Sequence, residues 1–289
     1  MIEIIFQYIE DAKKLKKLMC HKLYHLEWKI KDVQKENEHI LIIDWDKSAN
    51  VYKSLDKLKK VFYQFIFQYK CDGWAKGIIE NQYLFKDETE QRHILEITHS
   101  LIEGEREELA NLVPNVNMEA CLKDAIAEML KEDVSFSFDS FVTFRLQRFM
   151  ELLKNYIEIS IDEYKLEQEY QVFIHTLRDF LSKRSPKKQT IHLLVDLEIQ
   201  FYDEKYQEIT QQDLLMIIDK KLFTHSSVYI DPFSIGPLLS LAPNKVYLYT
   251  EDREQPIVRT IVNIFEERVH ILEKEDFFQG IGILSQRFE

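Results

Sequence analysis

The fold of this chain is decided by Val246-Tyr247-Leu248-Tyr249, a helical stretch over residues 256–267, and Val269-His270-Ile271-Leu272. The two short runs are rich in β-branched and aromatic residues, which is typical of strands. Pro256 stands in the first turn of the helical stretch, where its missing amide hydrogen costs nothing. Two strands joined through a helix pair in parallel by a right-handed crossover, so this stretch predicts an α/β unit.

The pattern on either side of this stretch extends the prediction to the whole chain. Residues 191–201 alternate like strands, Thr210 can cap a helix, and a short helix over residues 233–241 ends before Pro243. Residues 1–8 and 39–45 also read as strands, with a helix between them from Asp11 to Trp28. We therefore predict a mixed α/β (α+β), helix-rich fold, with a small N-terminal sheet, a central helical region and a C-terminal α/β domain.

The domain boundaries follow from two interruptions of the periodicity. The helical period stops around residues 111–115, and the basic, proline-containing segment 182–188 separates a helical part from a strand-like part. These interruptions predict an N-terminal lobe over residues 1–114, a central helical region over 115–187 and a C-terminal domain over 188–289.

Three features describe the helices before residue 188. Residues 52–83 have a helical period, which Gly73 and Gly77 are expected to interrupt. Asp87 and Asn117 are predicted to cap helices. Ser160-Ile161-Asp162-Glu163 matches the capping box, in which serine and glutamate satisfy each other's helix-end amides. It predicts that a new helix begins there and packs on the helix before it as a hairpin or a bent rod.

Arg145 is the candidate functional residue, because it falls on the apolar side of its predicted helix. At about 100° per residue, the helix from Phe141 onward places Thr143 and Gln147 on one arc and Leu146 with Phe149 on the other. Arg145 falls in the second arc. A buried guanidinium needs a partner, and breaking such a pair costs about 3–5 kcal/mol.

Three interpretations of Arg145 remain open on the sequence. It can pair with a carboxylate on the following helix, for which Glu163 and Glu169 are the candidates, and we favour this structural ion pair. Together with Arg148, one turn further on, it can present a fork of donors to a phosphate or carboxylate ligand. Its stem can also simply reach water from the edge of the core.

No catalytic, metal or cofactor motif is recognised. The sequence has no P-loop, no dinucleotide-binding glycine motif, no H-E-x-x-H and no nucleophile elbow, so we name no catalytic residue and no cofactor. Asp44 and Asp46 around a strand end could hold Mg²⁺, but such residues are common in turns. His21 and His25 lack a third ligand at a recognisable spacing, so no metal site is predicted.

Charge and cysteine content limit the cellular compartment and the classes of partner that we expect. The net charge is −12, with the first 80 residues at +3 and the remainder at −15, and an acidic body argues against nucleic-acid binding. The three cysteines are far apart, which suits a reducing compartment. No secretory signal and no apolar run of the ~18 residues needed to span a membrane is present. We therefore expect a cytoplasmic protein.

Several segments resemble a known family. Residues 141–146, 163–174, 239–246 and 264–269, in this order and spacing, are similar to the sporulation protein YtxC family of endospore-forming firmicutes. The resemblance implies a cytoplasmic role in spore formation, with no established chemistry. Together with the missing catalytic motifs, it favours a non-enzymatic protein that binds a protein partner. The alternative is an enzyme or sensor that binds a phosphorylated or nucleotide-like ligand around Arg145 and Arg148.

Overall fold

A computed structural model describes residues 1–22, 28–35, 38–45, 51–109, 111–113, 116–196, 198–219 and 234–285. The chain divides into two compact units, Met1–Leu166 and Glu167–Glu289. Each unit has its own apolar core. The mixed α/β, helix-rich fold class is confirmed. The predicted domain boundaries near residues 114 and 187 stay predictions.

The described helices and strands alternate irregularly along the chain. The helices are α1 (Ile9–Lys22), α2 (Val51–Phe65), α3 (Cys71–Asn81), α4 (Glu88–Glu103), α5 (Met118–Met129), α6 (Phe138–Arg145), α7 (Gln147–Ser182), α8 (Gln211–Ile217), α9 (Ile235–Leu241), α10 (Pro256–Phe265) and α11 (Lys274–Ser285). The strands are β1 (Ile2–Phe6), β2 (Trp28–Lys35), β3 (Glu38–Trp45), β4 (Val134–Ser137), β5 (Thr190–Val195), β6 (Ile199–Tyr202), β7 (Glu208–Ile209), β8 (Lys245–Tyr249) and β9 (Val269–Leu272).

The sheet of the first unit has the strand order β2-β3-β1-β4. β1 pairs with β3 in antiparallel and with β4 in parallel orientation. Ile2, Ile4 and Phe6 alternate along β1 and are buried in the core, as the period of two requires. The sequence prediction misses β2, because it extends the preceding helix to Trp28, and it misses the four-residue strand β4.

The helices of the first unit differ from the prediction at one irregular turn. Gly73 and Gly77 lie inside α3 and do not interrupt it. The irregularity comes earlier, where Ile66–Lys70 forms a π-helical turn between α2 and α3. The predicted caps are confirmed: Asp87 accepts hydrogen bonds from the amides of Thr89 and Glu90, and Asn117 accepts one from the amide of Ala120.

The predicted helix start at Ser160 is wrong. Ser160 lies in the middle of α7, which is continuous over 36 residues. Its buried hydroxyl donates to the carbonyl of Tyr156 at 2.7 Å and accepts from Thr98 Oγ1 at 2.9 Å. The serine therefore serves a helix contact with α4, and the capping-box pattern was not accompanied by a stop signal in the preceding turn.

The sheet of the second unit has the strand order β7-β6-β5-β8-β9. β8 pairs with β9 in parallel, which confirms the strand–helix–strand unit predicted over residues 246–272. β5 pairs with β8 in parallel and with β6 in antiparallel orientation. Thr210 caps α8, as predicted, and the structure adds that Asp213 completes a capping box with it.

One side of this sheet is the apolar side. Ile191, Leu193 and Val195 of β5 are buried in the core of the second unit together with Val246 and Leu248 of β8. Among the described residues, no helix combines the length and the apolar character that crossing a bilayer requires.

Candidate functional site

Arg145 lies at the end of a helix and is exposed. α6 ends at this residue, Leu146 leaves the helical conformation with φ −93° and ψ 8°, and α7 begins at Gln147. The predicted burial of Arg145 is therefore wrong, since stepping 100° per residue assumed one uninterrupted helix. Leu146 and Phe149, which the same pattern placed in the core, are buried.

Phe144, Arg145 and Arg148 form what we call the junction surface, at the break between α6 and α7. All three are exposed, and Phe144 is 71% exposed. Neither arginine makes a hydrogen bond or an ion pair with any residue that the structure describes. Arg148 lies near Cys121 of α5, where burial raises the pKa of the thiol and the arginine charge partly opposes that rise.

The carboxylates proposed as partners of Arg145 lie elsewhere. Glu163 accepts a hydrogen bond from Arg106, with 3.1 Å between Oε1 and Nη1 and side-chain exposures of 20% and 25%. The predicted pair between Arg145 and Glu163 is therefore not formed. Glu169 is exposed on the part of α7 that belongs to the second unit. Sequence reasoning missed Arg106, because it follows α4 in a segment without periodicity.

A largely buried ion pair in the first unit was not predicted either. Lys70 Nζ lies 2.7 Å from Asp11 Oδ2, with side-chain exposures of 20% and 10%, and 5.8 Å from the ring centroid of Phe138. Lys70 is the last residue of the π-helical turn. A π turn inserts one extra residue into a helix and often occurs at functional positions. Here the turn places Lys70 beside Asp11 and the Phe138 ring.

Cys71, Asp72 and His99 line a cavity of about 240 Å³, but they do not form an activated nucleophile. His99 Nε2 lies 2.8 Å from Asp72 Oδ1, and both side chains are about half exposed or more. Burial, with a smaller contribution from Asp72, raises the pKa of the Cys71 thiol to about 12. Nucleophilic cysteines need a lowered pKa, so this thiol stays protonated and structural.

A larger cleft of about 520 Å³ lies between α2 and α5. Its lysines are mostly paired within their own helices: Lys60 lies 3.0 Å from Asp56, and Lys123 pairs with Glu119. Lys123 also lies 5.3 Å from the ring centroid of Tyr63. Because the acids neutralise their neighbours, the cleft has little charge to attract an ionic ligand.

Two buried titratable groups of the second unit, His192 and Tyr249, lie in contact. His192 Nδ1 lies 2.9 Å from the Tyr249 hydroxyl, which in turn lies 3.3 Å from the Tyr206 hydroxyl. The Tyr206 ring stacks on the imidazole at 4.1 Å between centroids. Burial lowers the pKa of His192, and Asp203 opposes this in part; burial is also the main reason that the pKa of Tyr249 is raised.

The packing around this cluster is close. Gly280 of α11 comes so near to Tyr206 that an added Cβ would collide with the tyrosine hydroxyl. The stack of His192 continues through Tyr247 to the exposed His270, at 5.2 and 5.3 Å between ring centroids. The cluster thus covers the side of the sheet opposite the apolar core.

The residues weighed as metal ligands do not come together in what is described. His21 and Asp44 are exposed, while His25 and Asp46 lie outside the described residues. In the ranges that the structure covers, no three histidine, cysteine or acidic side chains are grouped so that they could hold a metal ion.

The chain is similar to a known protein family and to a protein of Bacillus subtilis. The YtxC-like family matches residues 56–270. The chain is 32% identical over 277 residues to "Uncharacterized protein YtxC" of Bacillus subtilis (strain 168), covering 96% of each protein. No solved structure matches the chain. The match to the family and the similarity to this relative along nearly the whole length show that the chain belongs to the YtxC-like family.

Proposed function

We propose that this protein acts in the cytoplasm of spore-forming cells by binding a protein partner through the junction surface, and that it is not an enzyme. The observation that carries the proposal is the exposure of Phe144, which is followed by Arg145 and Arg148, two exposed arginines without partners among the described residues. Aromatic and arginine side chains are the residue types that contribute most to the binding energy of protein interfaces.

The local structure supports a role of this surface in binding. Leu146 and Phe149, on the other side of the same break, are buried in the core and hold the helix ends. The exposed side chains therefore project from a fixed backbone, which lowers the entropy cost of binding. The association with sporulation rests on the family resemblance, and the cytoplasmic location rests on the sequence arguments given above.

Photo-crosslinking tests the proposal directly. A photoreactive phenylalanine analogue is placed at Phe144 in sporulating cells, and, as a matched control, at Phe278 of α11, which is 62% exposed. We expect a light-dependent adduct with a defined second protein from position 144 and none from position 278. The adduct should disappear when Arg145→Glu is combined with the analogue at position 144.

A cellular measurement complements the crosslink. Cells with Phe144→Ser should form fewer spores than cells with Phe278→Ser at equal protein levels. Normal spore numbers in the Phe144→Ser strain together with no adduct would contradict the proposal. So would a catalytic turnover by the purified protein that is lost in Arg145→Ala.

A further inference from the structure

The basic segment that follows α7 lines a cavity in the second unit. The cavity has a volume of about 540 Å³. Among the described residues, its lining contains three basic side chains, those of Lys183, Arg184 and Lys187, and a single carboxylate, that of Asp219. Volumes of this size are typical of small-molecule sites, which range over about 300–1,000 Å³. The cavity thus has the size of a ligand site, and its described lining residues have an excess of positive charge.

Arg184 is held in place from two sides. Its guanidinium carbon lies 3.8 Å from the ring centroid of Phe180, and its Nη2 donates to Asp219 Oδ2. The side chains of Arg184 and Asp219 are 18% and 28% exposed. Guanidinium has five N–H donors in one plane, so stacking and one ion pair leave donors at its edge for a further acceptor.

Asp219 is itself positioned by the protein. Its amide donates to Ser240 Oγ at 3.0 Å, and that buried hydroxyl donates to the carbonyl of Gly236 at 2.8 Å. The backbone of the basic segment is fixed as well, since the amide of Lys187 donates to the carbonyl of Leu241 at 2.9 Å. The arginine and the segment therefore have a defined geometry before any ligand arrives.

Lys183 and Lys187 bring two further charges to this cavity. Neither makes an ion pair with a residue in the part of the chain that the structure describes. Since Asp219 balances Arg184, the described lining residues carry two further positive charges, those of Lys183 and Lys187. An anion in the cavity would be attracted by both ammonium groups and could accept charge-assisted hydrogen bonds from them.

We propose that this cavity binds a small molecule carrying a diphosphate or a comparable group with at least two negative charges. Arg184 would donate from its free edge to phosphate oxygens, and Lys183 and Lys187 would neutralise the remaining charge. The site is separate from the junction surface, so the proposal goes beyond the proposed function and does not depend on it.

Isothermal titration calorimetry of the full chain with pyrophosphate and ATP tests the proposal. The test variant is Lys183→Gln/Lys187→Gln. The matched control is Lys205→Gln/Lys245→Gln, which removes the same charge from exposed positions of the second unit outside the cavity lining. We expect wild type to bind pyrophosphate, the test variant to bind at least tenfold more weakly, and the control to stay within twofold of wild type.

Arg184→Lys adds a readout of geometry. It keeps the charge but removes the planar fork, so we expect a clear loss of pyrophosphate affinity with an unchanged circular dichroism spectrum. Three results would overturn the proposal. They are no wild-type binding of either probe at millimolar concentration, an equal loss in the control variant, and binding of DNA or anionic vesicles that outcompetes pyrophosphate through the same lysines.

Discussion

Lys70 in the first unit and Arg184 in the second are built alike and differ in what surrounds them. Each is paired with an aspartate and lies over a phenylalanine ring, Lys70 with Asp11 and Phe138, Arg184 with Asp219 and Phe180. The first pair is packed beside the core of its unit, whereas the second lines an open cavity. A cation paired with an aspartate over a phenylalanine ring can therefore stabilise the fold in one place and be a preorganised binding group in another.

Replacing Lys70 should lower the stability of the first unit. In Lys70→Met the carboxylate of Asp11 keeps its burial and loses its counterion, so we expect the free energy of unfolding to fall by about 3–5 kcal/mol. Urea denaturation followed by tryptophan fluorescence measures this, since Trp28, Trp45 and Trp74 all lie in the first unit.

The double variant Asp11→Leu/Lys70→Met distinguishes a lost pair from a damaged core. Removing both charges leaves no unpaired ion, so we expect it to be more stable than Lys70→Met alone. Lys76→Met, at an exposed position of α3, serves as the control and should stay close to wild type. A double variant that is less stable than Lys70→Met would show that the Asp11 carboxylate does not need Lys70 as its counterion.

Arg184→Met should destabilise the protein less than Lys70→Met. Its partner Asp219 is 28% exposed and can be solvated once the arginine is removed, so we expect a loss of about 1–2 kcal/mol. Hydrogen exchange of β5 and β8, measured by mass spectrometry, follows the second unit, which contains no tryptophan. A loss of stability as large as that of Lys70→Met would give Arg184 a structural role as well. It would then weaken the proposal that Arg184 binds a ligand.

Burial of His192 gives the second unit a pH dependence. Its pKa is lowered in the fold, so below the ordinary histidine pKa of about 6.5 the unfolded chain binds more protons than the folded one. Stability should therefore fall as the pH drops through this range, until the lowered folded pKa is passed. Hydrogen exchange of β5, corrected for the intrinsic exchange rates, measures this pH dependence of stability. We expect the dependence to be weaker in His192→Phe than in wild type.

The exposed His175 supplies the control for this measurement. His175→Gln should leave the pH dependence unchanged, because the side chain of His175 is 78% exposed. A wild-type stability that is flat between about pH 7 and 5 would contradict the assignment of His192 as the titrating group.

The sequence predicted what depends on local patterns and missed what depends on distant contacts. The strand–helix–strand unit, the caps at Asp87 and Thr210, and the strand-like alternation over residues 191–201 were all readable from neighbouring residues. The π turn before Cys71 and the break at Leu146 were not, because a change of phase by one residue leaves the apolar pattern nearly intact.

The candidate site was less predictable than the fold for the same reason. A single change of phase moved Arg145 from the predicted apolar side to the surface, and Glu163 pairs with Arg106 instead. The cavity beside Arg184 joins residues from the end of α7, from Asp219 and from α9, which no local period connects. The basic segment itself was visible in the sequence, but only as a domain boundary.

Replacing Arg145 gives the stability change of a cation without a described partner, with which the losses at the Lys70–Asp11 and Arg184–Asp219 pairs can be compared. As an exposed cation with no partner among the described residues, it should contribute little, so Arg145→Met should change the free energy of unfolding by less than about 0.5 kcal/mol. The sequence pattern alone would have required a loss several times larger. Tryptophan fluorescence in urea therefore decides between the two, and a large loss would mean that the helix continues through Leu146 and that the guanidinium is buried. An unchanged stability, combined with a lost crosslink in Arg145→Glu, would place the whole effect of this residue in binding.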